Sequence, residues 1–260
     1  MLTLSPGHHL YPYTDGGWRW SAPGDRFVRI DGPNQVLERV QRDAVAGTVR
    51  SGAEDPVYDE LVKSLTDAGA LSKATSVASV VRVHLAGQAP VACLLAEMLT
   101  GPACEVTSGP IDQDVVAVSD LVVSCASWLP DRAWSELAEM CRRHGTAWHG
   151  SYAEGSSVVV GPMWLPGQTA SYLDVRGRRL AAAAAPDELR ALWRHLEGAE
   201  HVPEARWDQP SAAVAAALIA ADVQAWRADR PLPQRDTQVV FDLASGRFDR
   251  HPVIPLPVTA

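Results

Sequence analysis

Residues 121–144 read LVVSCASWLPDRAWSELAEMCRRH and contain the two elements that decide the fold. Leu121–Ala126 is almost wholly apolar, which is typical of a strand buried on both faces of a parallel sheet. Asp131–His144 has apolar residues at helical spacing and predicts an amphipathic helix. Upstream, the same alternation predicts strands at Val77–Leu85 and Cys104–Thr107 around a helix at Ala89–Leu99. Strands that alternate with helices over short links predict a parallel α/β sheet.

The pattern changes in the last part of the chain. A strand at Ser156–Val160 (SSVVV), two helices and a final hairpin are predicted there. The helices are Pro186–Leu196 and Ser211–Asp229, and the hairpin strands are Gln238–Leu243 and Arg247–Pro252. Residues 76–260 are therefore predicted to form one α/β domain.

Residues 1–75 predict a separate, smaller module of three strands and two helices. The strands are Tyr11–Tyr13, Gly17–Ser21 and Arg26–Asp31, the first two joined by an Asp-Gly-Gly turn. Asn34 is expected to cap the first helix, and Pro56 to open the second, which runs to Ala68. From its spacing, the core-facing side of the second helix is predicted to be Val57, Leu61, Leu65 and Ala68. This order of elements is typical of a winged-helix-like module.

A domain boundary is predicted in Ser72–Ser76, a small and polar segment between the two patterns. The only lysines of the chain, Lys63 and Lys73, lie in its first third, and after Lys73 only arginine supplies permanent positive charge. The predicted domains are therefore residues 1–75 and 76–260.

Composition and charge exclude several classes of protein. The 260 residues carry 23 Lys and Arg against 31 Asp and Glu, a formal charge of −8. An acidic balance disfavours a protein that holds nucleic acid, because phosphate neutralisation needs excess Lys and Arg. Four cysteines without a Cys-x-x-Cys pair predict neither a disulfide framework nor a zinc site. No signal peptide or membrane-spanning stretch is recognisable, so we expect a soluble cytoplasmic protein.

Catalytic chemistry receives little support from the sequence. The loop Ala86–Ala92 follows the first α/β strand, where a dinucleotide fingerprint would lie, but Gly87 is its only glycine and Pro90 removes a backbone donor. No lysine beyond Lys73 is available to meet the phosphates of ATP. No Gly-x-Ser-x-Gly sequence marks a nucleophile. We therefore predict no cofactor, no metal and no catalytic residue.

The N-terminal module suits either DNA or peptide binding. Its second helix carries Asp59, Glu60 and Asp67 against Lys63 alone, which disfavours a DNA-recognition helix. An exposed strand beside an amphipathic helix instead suits an extended peptide that is added to the sheet edge. The candidate peptide-binding residues are Phe27, Val28, Arg29, Ile30, Tyr58, Leu61, Val62 and Leu65.

Two points about these candidates stay open from the sequence. Phe27 and Val28 point to opposite faces of a strand, so only one of them can face a peptide. Tyr58 and Val62 flank the predicted core-facing side of the second helix. They either line a groove or widen the buried stripe of that helix.

Two short segments in the C-terminal half give the chain a family resemblance. Gly161–Gln168 (GPMWLPGQ) and His251–Pro257 (HPVIPLP) are similar to segments of the ThiF-like proteins of thiazole/oxazole-modified peptide biosynthesis, which bind leader peptides and associate with cyclodehydratases. Leu121–Cys125 before a helix matches the central strand of that family. The resemblance implies a winged-helix-like peptide-recognition module followed by a degenerate ThiF-like, Rossmann-type α/β domain.

The resemblance also implies a function. It points to a non-catalytic adaptor that binds the leader of a ribosomally made precursor peptide and presents its core to a YcaO-type cyclodehydratase for azoline formation. A homodimer is also implied. Members with structural zinc have Cys-x-x-Cys pairs after the Pro-Gly and after the final prolines, and this chain has neither. The alternatives are an ATP-dependent ThiF-like carboxylate-activating enzyme and a winged-helix DNA-binding regulator.

Overall fold

A computed structural model divides the chain into two compact units, residues 1–76 and 77–260. It describes residues 1–50, 52, 55–73, 80–87, 89–101, 103–198 and 207–256. The predicted boundary segment Ser72–Ser76 lies mostly outside these residues. Each unit has its own hydrophobic core.

The described residues of the N-terminal unit form two small sheets and two helices. Its elements are β1 (Leu2–Leu4), β2 (His9–Pro12), β3 (Trp18–Ala22), β4 (Arg26–Ile30), α1 (Asn34–Val45), α2 (Pro56–Asp67) and β5 (Leu71–Lys73). Strands β2, β3 and β4 form an antiparallel sheet in that order. Strand β1 pairs with β5 in a second sheet that the sequence pattern does not predict. The core of this unit includes Trp18, Trp20, Leu37, Val40, Tyr58 and Val62.

The first helix begins differently from the prediction. Asn34 is its first residue rather than its cap, because the cap position is Pro33 and no side chain caps the helix. Proline has no side-chain acceptor to offer the first turn, and its carbonyl oxygen accepts the backbone N–H groups of Val36 and Leu37 at 3.0 and 3.1 Å. Helix α2 begins at Pro56 as predicted, and the Asp55 carboxylate accepts hydrogen bonds from the first backbone N–H groups of that helix.

The C-terminal unit is built on a mixed sheet of seven strands within the described residues. They are β6 (Val81–Gly87), β7 (Cys104–Ser108), β8 (Leu121–Ala126), β9 (Ala147–Glu154), β10 (Ser157–Trp164), β11 (Thr237–Asp242) and β12 (Arg247–Pro252). Their order is β12-β11-β10-β9-β8-β6-β7. Strands β6, β7 and β8 run parallel as predicted, and β9 joins them. Strands β10, β11 and β12 are antiparallel additions, and β11 and β12 form the hairpin predicted for the end of the chain.

In the same described part of the chain, six helices cover the two faces of this sheet. They are α3 (Ala89–Leu99), α4 (Gln113–Val118), α5 (Asp131–His144), α6 (Tyr172–Ala182), α7 (Pro186–Gly198) and α8 (Gln209–Arg227). Helices α3 and α8 bury apolar side chains in one core layer, and α4 to α7 bury theirs in the other. The bounds of β8 and α5 are the predicted ones, whereas the sequence pattern predicts neither α4, α6 nor β9. None of the described helices is long and apolar enough to cross a membrane.

The two segments behind the family resemblance contribute the end of β10 and the end of β12. After β12 the chain is held against α6. Arg178 Nε donates to the carbonyl oxygen of Ile254 at 2.9 Å, and the backbone N–H of Leu256 donates to Asp174 Oδ1 at 2.7 Å. Pro257 lies outside the described residues. The closing segment is therefore anchored within the C-terminal unit up to Leu256.

Candidate peptide-binding site

Strand β4 and helix α2 border a groove of about 420 Å³ in the N-terminal unit, which we name the β4–α2 groove. The strand side contributes Val28, Arg29 and Ile30. The helix side contributes Val57, Glu60, Leu61, Ser64, Leu65 and Ala68. Residues 31–33 and Trp20 complete the lining. The volume is within the range of small-ligand sites, and the elongated border of strand and helix suits an extended chain.

Strand β4 is an edge strand. It pairs with β3 on one side, and no strand among the described residues pairs with its other side. An edge strand presents a row of unpaired N–H and C=O groups, which is a template for one more strand. The backbone of β4 is therefore available to hydrogen-bond an added peptide.

The pairing register decides which side chains of β4 face the groove. Val28 lies opposite Trp20 in the register. Ile30 lies opposite Trp18, and both tryptophans are buried. Because opposite residues share a face of the sheet, Val28 and Ile30 lie on the core side and border the groove. Phe27 lies on the other face and is 62% exposed. Of the two faces that the sequence leaves open, the groove is on the Val28 side.

Helix α2 turns a different side to the core than its spacing predicts. Its buried residues are Tyr58, Val62 and Leu65, whereas Val57 is 46% exposed and Leu61 is half-buried. The predicted core-facing side is therefore correct for Leu65 and in part for Leu61, which packs against the core, and it is wrong for the exposed Val57 and Ala68. Tyr58 and Val62 belong to the buried stripe, which is one of their two predicted roles, and neither lines the groove.

A buried tyrosine fixes α2 against α1. Tyr58 Oη donates to Asp43 Oδ2 at 2.7 Å, and the guanidinium of Arg39 lies 4.6 Å from the centroid of the tyrosine ring. Burial, together with the hydrogen bond to Asp43, raises the pKa of Tyr58 from 10.0 to about 12. The hydroxyl therefore stays protonated at neutral pH and remains a donor. This contact joins α2, which borders the groove, to α1.

Tyr58→Phe is expected to lower the free energy of unfolding by about 1–2 kcal/mol, because one hydrogen bond to a carboxylate is lost. Urea unfolding of the full chain measures this loss, with Tyr13→Phe as the control because Tyr13 is 50% exposed. The pKa of Tyr58 is higher in the folded chain, so its stabilising effect is complete below about pH 10 and is lost as the pH rises through about 12. The difference between wild type and Tyr58→Phe should shrink over that interval. Equal effects of the two substitutions would contradict the role of Tyr58.

The predicted peptide-binding residues divide into two groups. Those that line the groove are Val28, Arg29, Ile30, Leu61 and Leu65. Phe27 lies on the opposite face of the sheet, and Tyr58 and Val62 lie in the core. Eight further lining residues are not among the predicted site residues: Trp20, Asp31, Gly32, Pro33, Val57, Glu60, Ser64 and Ala68. The sequence signal for several of them is that they share the helix side of Leu61, at spacings of three and four residues.

The C-terminal unit has a crevice at the carboxyl ends of β6 and β7, the position where α/β folds hold nucleotides. Its lining includes Gly87, Cys93, Ser108 and Gly109, and no lysine or arginine of the described residues lines it. Gln88, from the candidate phosphate loop, lies outside the described residues. Packing explains why residue 87 is glycine, because a Cβ there would lie 1.7 Å from the carbonyl oxygen of Cys125. The described lining therefore offers no positive charge to a triphosphate.

The thiols of the C-terminal unit are mostly buried. Burial raises the pKa of Cys125 to about 11 and that of Cys141 to about 12, and Cys104 is also buried with a raised pKa. Thiols in this state stay protonated and are poor nucleophiles and metal ligands. Cys93, on α3, is exposed and forms no disulfide. Within the described residues, no group of three or more His, Cys, Asp or Glu is arranged to hold a metal ion.

No protein-family model matches the chain, and no curated protein matches it. Solved structures do share its fold. The heterocyclase TruD superposes with a TM-score of 0.69 at 12% identity, over 96% of this chain and 41% of TruD. A heterocyclase in complex with substrate and cofactor gives a TM-score of 0.66 at 15% identity, over 98% of this chain and 38% of the heterocyclase. MccB of E. coli, solved with ATP, gives a TM-score of 0.59 at 12% identity, over 99% of this chain and 98% of MccB.

At these identities the likeness establishes the fold alone. The chain is a mixed α/β protein with a Rossmann-like sheet, and its architecture recurs in heterocyclases and in MccB. The α/β prediction is confirmed at that level. The chain spans about two fifths of the length of the two heterocyclases and nearly the whole length of MccB.

Proposed function

We propose that this chain is a non-catalytic adaptor that binds the leader of a ribosomally made precursor peptide and presents its core to a YcaO-type cyclodehydratase for azoline formation. The observation that carries the proposal is the β4–α2 groove, where a strand edge that no described strand pairs with lies beside a helix side rich in apolar residues. In this proposal residues 1–75 are a winged-helix-like recognition module. Residues 76–260 are a degenerate ThiF-like scaffold that contacts the partner enzyme and pairs with a second copy.

The leader binds as an additional strand along β4. Its backbone hydrogen-bonds the free edge of β4, and every second side chain enters the groove. Val28 and Ile30 receive these side chains from the strand side, and Val57 and Leu61 receive them from the helix side. A few apolar anchors of this kind supply most of the affinity of a peptide complex.

Two further observations support the adaptor over an enzyme. This chain covers only 38% and 41% of the two heterocyclases, so most of each heterocyclase has no counterpart in these 260 residues. The crevice at β6 and β7 lacks a lining lysine or arginine among the described residues, and ATP-using sites rely on such groups to hold the phosphates. A further parallel is MccB of E. coli, which was solved with MccA and superposes on this chain with a TM-score of 0.58.

Val57→Arg is expected to weaken leader binding roughly thirtyfold, the effect of losing one strong anchor. The substitution introduces a charge among apolar groove residues, and Val57 is 46% exposed, so the fold should tolerate it. Fluorescence polarisation measures the binding of fluorescein-labelled synthetic peptides that cover the N-terminal half of each short open reading frame adjacent to the gene. The matched control is Val45→Arg, because Val45 is 73% exposed on α1 and does not line the groove.

Micromolar or tighter binding to wild type and Val45→Arg, with loss in Val57→Arg, supports the adaptor. Backbone N-methylation of the peptide should reduce affinity at every second residue, because only one edge of an added strand pairs with β4. Absence of binding to a folded wild-type protein contradicts the proposal, and ATP-dependent release of pyrophosphate would then favour the activating enzyme. Binding that Val57→Arg leaves unchanged contradicts the site.

A further inference from the structure

We infer that the β4–α2 groove selects a peptide with a lysine or arginine between apolar residues, and that Glu60 recognises this positive charge. The inference rests on the proposed function and defines the chemistry of the ligand. Glu60 lies on the α2 side of the groove, one turn after Val57 and beside Leu61. In the described part of the chain it has no hydrogen-bond or ion-pair partner.

The other charges that line the groove neutralise each other. Arg29 Nε lies 3.1 Å from Asp31 Oδ1, and both side chains extend from the end of β4 into solvent. Glu60 is therefore the one uncompensated charge among the described lining residues. A carboxylate that faces a groove without a partner attracts a cationic side chain and repels an anionic one.

The surroundings of Glu60 strengthen this preference. Helix α2 carries Asp59, Glu60 and Asp67 against Lys63 alone, and the whole chain has a formal charge of −8. The same acidic balance that disfavours a DNA-recognition helix favours a basic peptide. Charge complementarity of this kind raises the association rate and suppresses acidic competitors.

The apolar neighbours of Glu60 fix the rest of the motif. A strand added to β4 sends every second side chain into the groove, so the basic residue is flanked at two residues on either side by inward positions. Val28, Ile30, Val57 and Leu61 lie around those positions and favour apolar side chains there. The aliphatic stem of a lysine or arginine also packs on these residues while its charged end reaches Glu60.

The test is a selection from a random-peptide library displayed on phage, with the immobilised full chain as the target. Wild type, Glu60→Lys and Glu38→Lys are compared, because Glu38 is an exposed glutamate of α1 that does not line the groove. Wild type and Glu38→Lys should enrich peptides with a lysine or arginine at one fixed position between apolar residues. Glu60→Lys should exchange that residue for aspartate or glutamate. For one synthetic enriched peptide, Lys→Glu in the peptide should weaken wild-type binding about tenfold, and Glu60→Lys should restore it.

The outcomes separate this inference from the proposed function. One outcome is that the enriched peptides need Val57 for binding but show the same charge preference on all three targets. That result overturns the role of Glu60 and does not contradict the proposed adaptor function. Peptides that bind Val57→Arg as well as wild type, or a selection that enriches none, contradict the groove and the proposed function together. A fixed basic residue that changes sign with Glu60→Lys alone supports the inference.

Discussion

Gly87→Ala is expected to lower the free energy of unfolding of the C-terminal unit by more than about 3 kcal/mol. Gly87 ends β6 directly beside Cys125 of β8, and its φ of +100° is one that L-residues rarely adopt. A Cβ on Gly87 would lie 1.7 Å from the carbonyl oxygen of Cys125. Because that oxygen belongs to the backbone of a central strand, the contact can be relieved only by separating β6 from β8. The cost of overpacking and the cost of the left-handed backbone add to each other.

Gly145→Ala separates these two costs. Gly145 has a φ of +70°, but a Cβ there would meet nothing within 4 Å. Its substitution therefore incurs only the left-handed strain, about 1–2 kcal/mol. Urea unfolding followed by tryptophan fluorescence measures both variants, and hydrogen exchange should locate the loss of Gly87→Ala in β6 and β8. Equal losses for the two variants would contradict the close approach of β6 to β8.

The glycine at position 87 has two possible explanations from the sequence alone. A glycine after a parallel strand suits a phosphate-binding turn, and it equally suits the close approach of a neighbouring strand. The second reason depends on Cys125, which is remote in sequence and becomes adjacent only through the order of strands in the sheet. Local sequence therefore predicts the strand and the turn but does not distinguish these two reasons for the glycine.

The orientation of α2 has a similar explanation. Local cap signals predict the bounds of this helix well, because caps act within one turn. Two apolar stripes at helical spacing compete for the core, one through Val57 and Leu61 and the other through Tyr58 and Val62. Hydrophobicity does not rank them. The buried stripe is the one through Tyr58, whose hydroxyl donates to the carboxylate of Asp43 on α1, a partner that the pattern of α2 does not reveal.

Strand β9 is not predicted from the sequence pattern because it buries polar side chains. His149 and Ser151 are both 0% exposed, so the strand lacks the run of apolar residues that makes β8 recognisable. Their partners lie in other elements: the Ser151 hydroxyl donates to Cys125 Sγ at 3.2 Å, and His149 contacts Asp222 of α8. A buried polar strand is stable only with such partners, and no local pattern signals them.

Asp222→Ala is expected to lower the free energy of unfolding by about 3–5 kcal/mol, the cost of breaking a buried polar pair from one side. Asp222 is 0% exposed, and its Oδ2 lies 3.2 Å from Nε2 of the equally buried His149. Its Oδ1 accepts the backbone N–H of Gln234 at 3.0 Å. The other ring nitrogen of His149, Nδ1, has no partner among the described residues. The carboxylate therefore bonds His149 and both the backbone and the side-chain N–H groups of Gln234, and it joins α8 to β9 and to the segment before β11.

Asp222→Asn separates the loss of these hydrogen bonds from the loss of side-chain volume. Asparagine fills the same space and still accepts from Gln234, but it places an amide nitrogen where the carboxylate oxygen meets His149, so a smaller loss than for alanine is expected. Asp187→Ala is the control, because Asp187 pairs with Arg190 in solvent and such pairs contribute little. Urea unfolding followed by tryptophan fluorescence ranks the three variants. A loss for Asp222→Ala no larger than that for Asp187→Ala would contradict the buried contact. Asparagine keeps the bond to Gln234, so equal losses for Asp222→Ala and Asp222→Asn would assign the stabilising effect of Asp222 to its contact with His149.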